Sequence, residues 1–281
     1  MKKKIVILTG SELRHRFFRK KVALHNGIEV LKAYCETEQN LLAGSSVEDV
    51  KDLRLKHLKA RAQSEKDFFE LFVDHTEDHS NAEVIDRASI NDEQYYKEII
   101  ALNPDLVIVY GASIIREPLL SAFKGRMLNV HLGLSPYYRG SATNFWPLAE
   151  ELPECVGATF MYIDEGIDTG EIIHQIRPAV NYYDTPSTIG NRLIKEMTDT
   201  FCEIIIRFDH LQKAVLDQPG NVRRYCKKKD YNEEAVERVY ANFNKGMIHT
   251  YLEDRTTRNR SFPLVENPQV SYDQSSNVSL C

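Results

Sequence analysis

The chain has 281 residues, 42% of them hydrophobic and 27% charged, with a formal net charge of −5. That length supports a well-buried core in one large or two modest domains, and the acidic balance argues against a strongly basic nucleic-acid binder. No window approaches the roughly 18 uninterrupted apolar residues of a membrane span, and MKKKIVILTG meets Ser11, Glu12 and Arg14 too soon to be a signal peptide.

The first element, KIVILTG, is an apolar run ending in Gly10 and is expected to be a strand behind a basic start. LRHRFFRKKVALHN follows with Leu13, Phe17, Phe18, Val22 and Leu24 at near-helical spacing. The Asn26-Gly27 turn then leads into IEVLKAYC, a second strand. Residues 46–72 are charged and helix-forming, with Val47, Val50, Leu53, Leu58 and Phe68 as sparse apolar anchors for one or two surface helices. AEVIDRA supplies a third strand and INDEQYYKEIIAL a helix capped by Asn91 or Asp92. LVIVYG is a continuous apolar strand of the kind covered on both faces.

GRMLNVHLG carries the next strand, and its period of two puts Asn129 and His131 on one face. CVGATFMYIDEG is another strand, with Asp168 in its exit loop. TPSTIGNRLIKEMTDTFCEIIIRF is a long amphipathic helix, capped by Asp184 with Pro186 in its first turn. Strands alternating with helices predict an α/β fold with a Rossmann-like, doubly wound, mostly parallel sheet, whose sites form at the carboxyl ends of strands. The texture changes after about residue 215, through DQPGNVRRYCKKKD and a short helix NEEAVERVYANFNKG. A catalytic domain over residues 1–215 and a C-terminal extension over 216–281 are therefore expected, polar and aperiodic from about Thr256 and with a mobile tail from about Pro268. Five cysteines without CxxC pairing, an odd number, point away from a disulfide framework or zinc site and toward a cytoplasmic location.

Amide formation from a carbonyl donor needs a hydrogen-bond donor for the developing oxyanion, an acid/base, and a group that orients that base. Asn129 can supply the first and His131 the second, while Asp168 can hold the imidazole or collect the amine proton. An isolated N-x-H is more often a buried Asn and His satisfied by the backbone. The surrounding residues change that balance. Asn129, His131, Pro136, Arg139-Gly140 and the segment from Asp164 to Gly170 (DEGIDTG) together resemble the folate-dependent formyltransferase family. That family includes glycinamide ribonucleotide, methionyl-tRNA and sugar N-formyltransferases. The likeness runs from the first strand to about residue 210 and is densest over 105–176.

The resemblance implies Asn129, His131 and Asp168 as the catalytic group and N10-formyltetrahydrofolate as one-carbon donor, with no metal needed. It also implies that Gly111, Ala112, Ser113 and Ile114, with Ile163, Asp164, Glu165 and Gly166, hold the pterin; Gly111 equally suits a plain tight turn. Arg139 either contacts an anionic group or braces its loop, and bracing is favoured because one guanidinium can tie several carbonyls. Ser11, Arg14, His15 and Arg16 stand where glycinamide ribonucleotide enzymes carry a Gly- and Asn-rich phosphate loop. Ser11, Arg14 and Arg16 are therefore acceptor-binding candidates, with a solvated helix face as the plain alternative. His75 and His79 have helical metal-pair spacing in a poorly helical stretch, so no metal site is expected there. Phe145 and Trp146 are expected to pack rather than to stack on a ligand.

Three acceptors compete, and the absence of a Gly- and Asn-rich phosphate loop counts against glycinamide ribonucleotide. The preferred one is the amine of a nucleotide-linked amino sugar, because Arg223, Arg224, Lys227, Lys228 and Lys229 are a small basic knot for a tRNA acceptor stem. Methionyl-tRNA is the alternative, and a non-catalytic folate- or nucleotide-binding module is the alternative from another class. The segment RRYCKKKDYNEEAVERVY is left with three uses: pairing two subunits as a homodimer, adding a small lobe, or covering the acceptor.

Overall fold

The computed structural model describes residues 1–37, 53–166, 168–212, 222–227 and 230–270. Strand β1 (Lys3–Gly10) leads through α1 (Leu13–Ala23) to β2 (Ile28–Glu36). Helix α2 (Leu53–His75), β3 (Ala82–Ile85), α3 (Glu93–Leu102) and β4 (Leu106–Tyr110) follow. Next come α4 (Leu119–Ala122), β5 (Met127–His131), β6 (Tyr138–Gly140), α5 (Trp146–Ala149), β7 (Ala158–Tyr162), β8 (Ile172–Ile176) and α6 (Pro186–Arg207). Strand β9 (Arg224–Cys226) and helices α7 (Glu233–Asn244), α8 (Met247–Glu253) and α9 (Arg255–Arg260) complete the described elements.

Seven strands form one sheet in the order β3-β2-β1-β4-β5-β7-β8. Neighbours from β3 to β5 are parallel, and β7 runs antiparallel to both β5 and β8. This is the expected doubly wound α/β fold with one reversed strand. Alternation along β1 sends Ile5 and Ile7 into a core with Phe17, Phe18, Phe69 and the apolar face of α6. Val6 and Leu8 enter a second core with Ile99 and Leu119 on the opposite face. The chain winds outward from β1 to β3, then returns to build β4 and β5 on the other side. Such an order opens crevices at the carboxyl ends of β1, β4 and β5.

Several local expectations are corrected. Helix α6 is capped by Thr185, which exchanges hydrogen bonds with Thr188 in a capping box. Asp184 instead pairs with Arg192 at 2.7 Å. Burial pushes the Asp184 carboxyl up, but Arg192, the Asn181 N–H and Thr188 together hold it below the usual carboxylate range. Of the two caps expected for α3, Asp92 occupies the position, as one of the alternatives had it, without a side-chain cap bond. Val47 and Val50 lie outside the described residues; Leu53 and Phe68 are half-buried against the core as expected, while the residues α2 buries most deeply include Leu55, Phe69 and Val73. The stretch after Thr256 is not aperiodic. It continues α9 and then runs beside β8, where the Gln175 N–H donates to the Val265 carbonyl at 2.8 Å and the Asn267 N–H to His174 Nδ1 at 3.0 Å. Of the tail expected to be mobile, Val270 is buried, and residues 271–281 lie outside the described residues.

Helix α7 packs on α2 and α5, and His57 of α2 meets the Tyr240 hydroxyl at 3.1 Å among Phe145 and Tyr231. Burial pushes both His57 and His174 down to about 4, with Arg61 adding to the effect on His57. An unfolded histidine titrates near 6.5, so the unfolded chain binds more protons between these values. The stability these neutral rings contribute is complete above about pH 6.5 and is lost as pH falls toward 4. Urea midpoints measured from pH 7 to 4.5 should fall, and His57→Phe should flatten part of the decline. An unchanged slope in that variant would remove His57 from the acid response.

Candidate active site

Three adjacent strands form the floor of an open-mouthed cavity of about 200 Å³. Asn129 of β5 is in register with Val109 of β4 on one side and Met161 of β7 on the other, and all three line the cavity. Among the described residues no group hydrogen-bonds the Asn129 side chain, so its amide is available to whatever enters. Its walls are two loops, residues 112–115 after β4 and, after β7, residues 163–166 and 168–170. Of the expected folate-contacting positions, Ala112, Ser113, Ile114, Ile163, Asp164 and Gly166 line the cavity. Gly111 and Glu165 do not.

His131 ends β5 and is 8% exposed. Its Nδ1 stands 3.3 Å from Asp168 Oδ1, and its Nε2 stands 3.3 Å from the Tyr138 carbonyl. Two acceptors thus flank the ring; an imidazolium has a donor for each, whereas a neutral ring can serve one. Asp168 borders the cavity at φ +53°, a left-handed conformation that Asp tolerates better than most residues. Its Oδ2 accepts the Gly140 N–H at 3.1 Å. The expected trio is therefore brought to one place, with Asn129 and Asp168 on the cavity wall and His131 against Asp168.

The chain around His131 is tied down by buried polar groups. Thr159 Oγ1 donates to the Gly133 carbonyl at 2.6 Å and accepts the Ser135 N–H and Gln175 Nε2, each at 3.0 Å. Gln175 Nε2 also donates to the Ser135 carbonyl at 2.7 Å, and Thr143 Oγ1 donates to the Leu132 carbonyl. Gly140, at φ +96°, permits the turn that follows, since a Cβ there would lie 2.3 Å from the Cys226 carbonyl.

Glu36 and Asn91, which carry no recognisable motif, hold the 112–115 loop. Glu36 ends β2, is 3% exposed, and its Oε2 accepts the Ser113 N–H at 2.7 Å. Asn91 Nδ2 donates to the Ile114 carbonyl at 3.0 Å, and its Oδ1 accepts the Arg116 N–H at 2.8 Å. An acid at the end of a strand was the only signal in the sequence, and it points nowhere until the strand order is known. The opposite loop closes on itself, with Asp164 Oδ1 accepting the Gly166 N–H at 2.9 Å and the Thr169 hydroxyl at 2.7 Å. Asp164 is thereby engaged as a loop brace.

The acceptor candidates are scattered by comparison. Ser11 is half-buried at the end of β1, and Arg16 is exposed on α1. Arg14 pairs with Glu12 and, at 3.1 Å, with Glu65. His15 lies beneath the turn after β4, where a Cβ on Gly111 would come within 2.5 Å of its Nε2. That approach and φ +73° account for Gly111 as a turn residue. Burial, with Arg14 and Arg61 nearby, pushes the His15 imidazole well below its usual range. Arg139 is half-buried in β6, paired in register with Tyr225 of β9. Within the basic knot, Arg223 and Arg224 pair with Glu150, and Lys228 and Lys229 lie outside the described residues. His75 and His79 are exposed, and among the described residues no three His, Cys, Asp or Glu side chains cluster as a metal site would require. Phe145 and Trp146 are buried in the core.

Residues 25–205 match the family model described as formyl transferase. The chain belongs to the formyl transferase family. It is similar to the methionyl-tRNA formyltransferase of Thermodesulfovibrio yellowstonii, at 32% identity over 129 residues, covering 45% of this chain and 40% of that protein. The methionyl-tRNA formyltransferase of Ehrlichia chaffeensis is 31% identical over 163 residues, covering 56% of this chain and 52% of the relative. The match thus spans about two fifths to half of these relatives. Two solved structures share the fold. A phosphoribosylglycinamide formyltransferase from Anaplasma phagocytophilum has a TM-score of 0.53 at 16% identity, covering 81% of this chain and 100% of that one. A 4-N formyltransferase from Francisella tularensis has a TM-score of 0.51 at 21% identity, covering 82% and 78%.

The Glu36 contact is directly testable. Removing an acceptor so that a buried N–H is left unsatisfied costs about 1–3 kcal/mol, roughly 5- to 150-fold in an opening equilibrium. Glu36→Ala should speed exchange of the Ser113 amide by that factor. Glu36→Gln, which keeps an oxygen acceptor, should stay within about threefold of the wild type on the same scale. Equal exchange in all three proteins would show that Glu36 does not hold the loop.

Proposed function

We propose that the chain transfers a formyl group from N10-formyltetrahydrofolate to a primary amine, most suitably that of a nucleotide-linked amino sugar. The observation that carries the reading is the His131–Asp168 pair, 3.3 Å apart, at the edge of a cavity whose floor presents the Asn129 amide. The cavity suits the donor. Val109 and Met161 give an apolar floor and Ile115 an apolar wall, and the turns at 112–115 and 163–166 offer backbone edges to a flat heterocycle. Bound there, the folate supplies an activated formyl carbon on N10.

Each residue then has a defined task. Asn129 donates its side-chain N–H to the formyl oxygen as negative charge develops on it. His131, protonated and oriented by Asp168, stabilises the same tetrahedral centre and delivers a proton to the departing nitrogen. Asp168 collects the proton released by the amine, directly or through water. The new amide C–N bond forms as the N10–formyl bond breaks, so one proton leaves the amine and one reaches the tetrahydrofolate nitrogen.

A sugar acceptor is supported by the pairing of Arg223 and Arg224 with Glu150, which engages two of the knot's five cations within the chain rather than with tRNA phosphates. Ser11 and Arg16, beside the carboxyl end of β1, are the proposed contacts for the nucleotide diphosphate, and Arg139 braces β6. The similarity to methionyl-tRNA formyltransferases keeps methionyl-tRNA as the second acceptor to be tested.

Purified chain should release tetrahydrofolate from N10-formyltetrahydrofolate in step with formamide formation on one member of a panel of uridine- and thymidine-diphosphate amino sugars. Formylation of methionyl-tRNA alone would overturn the acceptor assignment, and folate binding without any turnover would support a binding module instead. His131→Ala and Asn129→Ala should each lower turnover by at least about 10²-fold. Unchanged rates would remove them from the mechanism.

A further inference from the structure

The short parallel sheet of β6 and β9 lies directly behind the His131–Asp168 pair. Strand β6 supplies both backbone groups that touch the pair: the Tyr138 carbonyl, 3.3 Å from His131 Nε2, and the Gly140 N–H, 3.1 Å from Asp168 Oδ2. Strand β9 pairs Arg224 with Tyr138 and Cys226 with Gly140. The Arg223 and Arg224 N–H groups both donate to the Tyr137 carbonyl at 3.0 Å, and the Ser141 N–H donates to the Cys226 carbonyl at 2.9 Å. A three-residue pairing is short for a stable sheet, and side chains reinforce it. Arg224 Nη1 donates to Glu150 Oε1 at 2.6 Å, while its guanidinium stacks 3.7 Å from the Trp146 ring centroid. Glu150 Oε2 accepts the Tyr138 hydroxyl at 2.8 Å, closing the link from β9 to β6. Burial pushes the Glu150 carboxyl up, but Arg224, Tyr138 and Arg223 outweigh it and hold the group below its usual range.

We propose that Arg224 is a positioning residue: through Glu150 and Tyr138 it fixes β6, and β6 fixes His131 and Asp168. Strand β9 is thus part of the active-site support, although it supplies no group to the reaction. The inference deepens the formyl-transfer reading and rests on it for its kinetic consequence, while its structural consequence stands alone. A displacement of β6 would misplace both partners of the pair together, which impairs the chemical step more than donor binding, because none of Arg224, Glu150 and Tyr138 lines the cavity.

The test uses the full chain and three variants. Arg224→Met removes the charge but keeps an apolar stem over Trp146, and Arg224→Lys restores the charge without the planar fork. Arg258→Met cuts a different C-terminal anchor, the 2.8 Å pair with Glu154, without touching β6. Arg224→Met should lower kcat by about 10- to 100-fold with the donor KM within about twofold, and Arg224→Lys should recover part of the loss. The ring nitrogen NMR shifts of His131 should move in Arg224→Met and stay in place in Arg258→Met. If Arg224→Met does not fold, Glu150→Gln weakens the same link and carries the same expectations. Unmoved His131 signals in a folded variant, or a loss confined to KM, would overturn the proposal. A wild-type chain that formylates nothing would instead defeat the reaction, leaving the NMR comparison to decide on Arg224.

Discussion

The contact between His131 and Asp168 organises the structure around the cavity. The two residues are 37 apart in the chain and come from different strand exits, β5 and the β7–β8 connection, so only the antiparallel pairing of β7 with β5 brings them together. That contact also depends on Gly140, whose N–H takes the second carboxylate oxygen, and on the Thr159–Gln175 network beneath Gly133 and Ser135. A buried polar arrangement of this kind holds one geometry because each alternative leaves donors or acceptors unpaired. The left-handed backbone at Asp168 is what aims its carboxylate inward, and the pairing interactions hold it there.

Much of the architecture was legible because periodicity and turn residues carry it. KIVILTG, LVIVYG and the strand through Asn129 declare themselves by apolar runs, and the long α6 by its 3.6-residue pattern. Helix α2 was less legible: its buried face includes His57 and Glu65, polar residues that no hydrophobic pattern would select. Thr185 took the cap expected of Asp184 because Arg192, eight residues on, captures that carboxylate; the competition is settled by side chains a turn or more apart. The run after Thr256 was obscured by its polarity, since its order comes from backbone bonds to Gln175 and His174 rather than from apolar spacing.

The same contrast holds within the site. Asn129, His131 and Asp168 stand out as candidates because the family resemblance around them turns three residue types into a recognisable chemical set, and the structure brings them to one place. Glu36, Asn91 and Glu150 do not, because each acts on backbone or on another side chain, and their sequence neighbourhoods are unremarkable. Strand order brings Glu36 to Ser113, and the β6–β9 pairing brings Glu150 to Arg224. These supports explain why loops can form the walls of a site that must be placed within a fraction of an ångström. In the proposed reading the donor side is built from β4, β5 and β7, whereas the acceptor candidates are dispersed around β1, α1 and β6.

The central claim is that a folate occupies the cavity between residues 112–115 and 163–166 with its N10 facing Asn129 and His131. A crystal structure of the chain with tetrahydrofolate tests this most directly. The account predicts the pterin against Ala112, Ile114 and Ile163, and N10 within hydrogen-bonding reach of the Asn129 and His131 side chains. Folate bound elsewhere on the chain, or N10 turned away from both side chains, would contradict it.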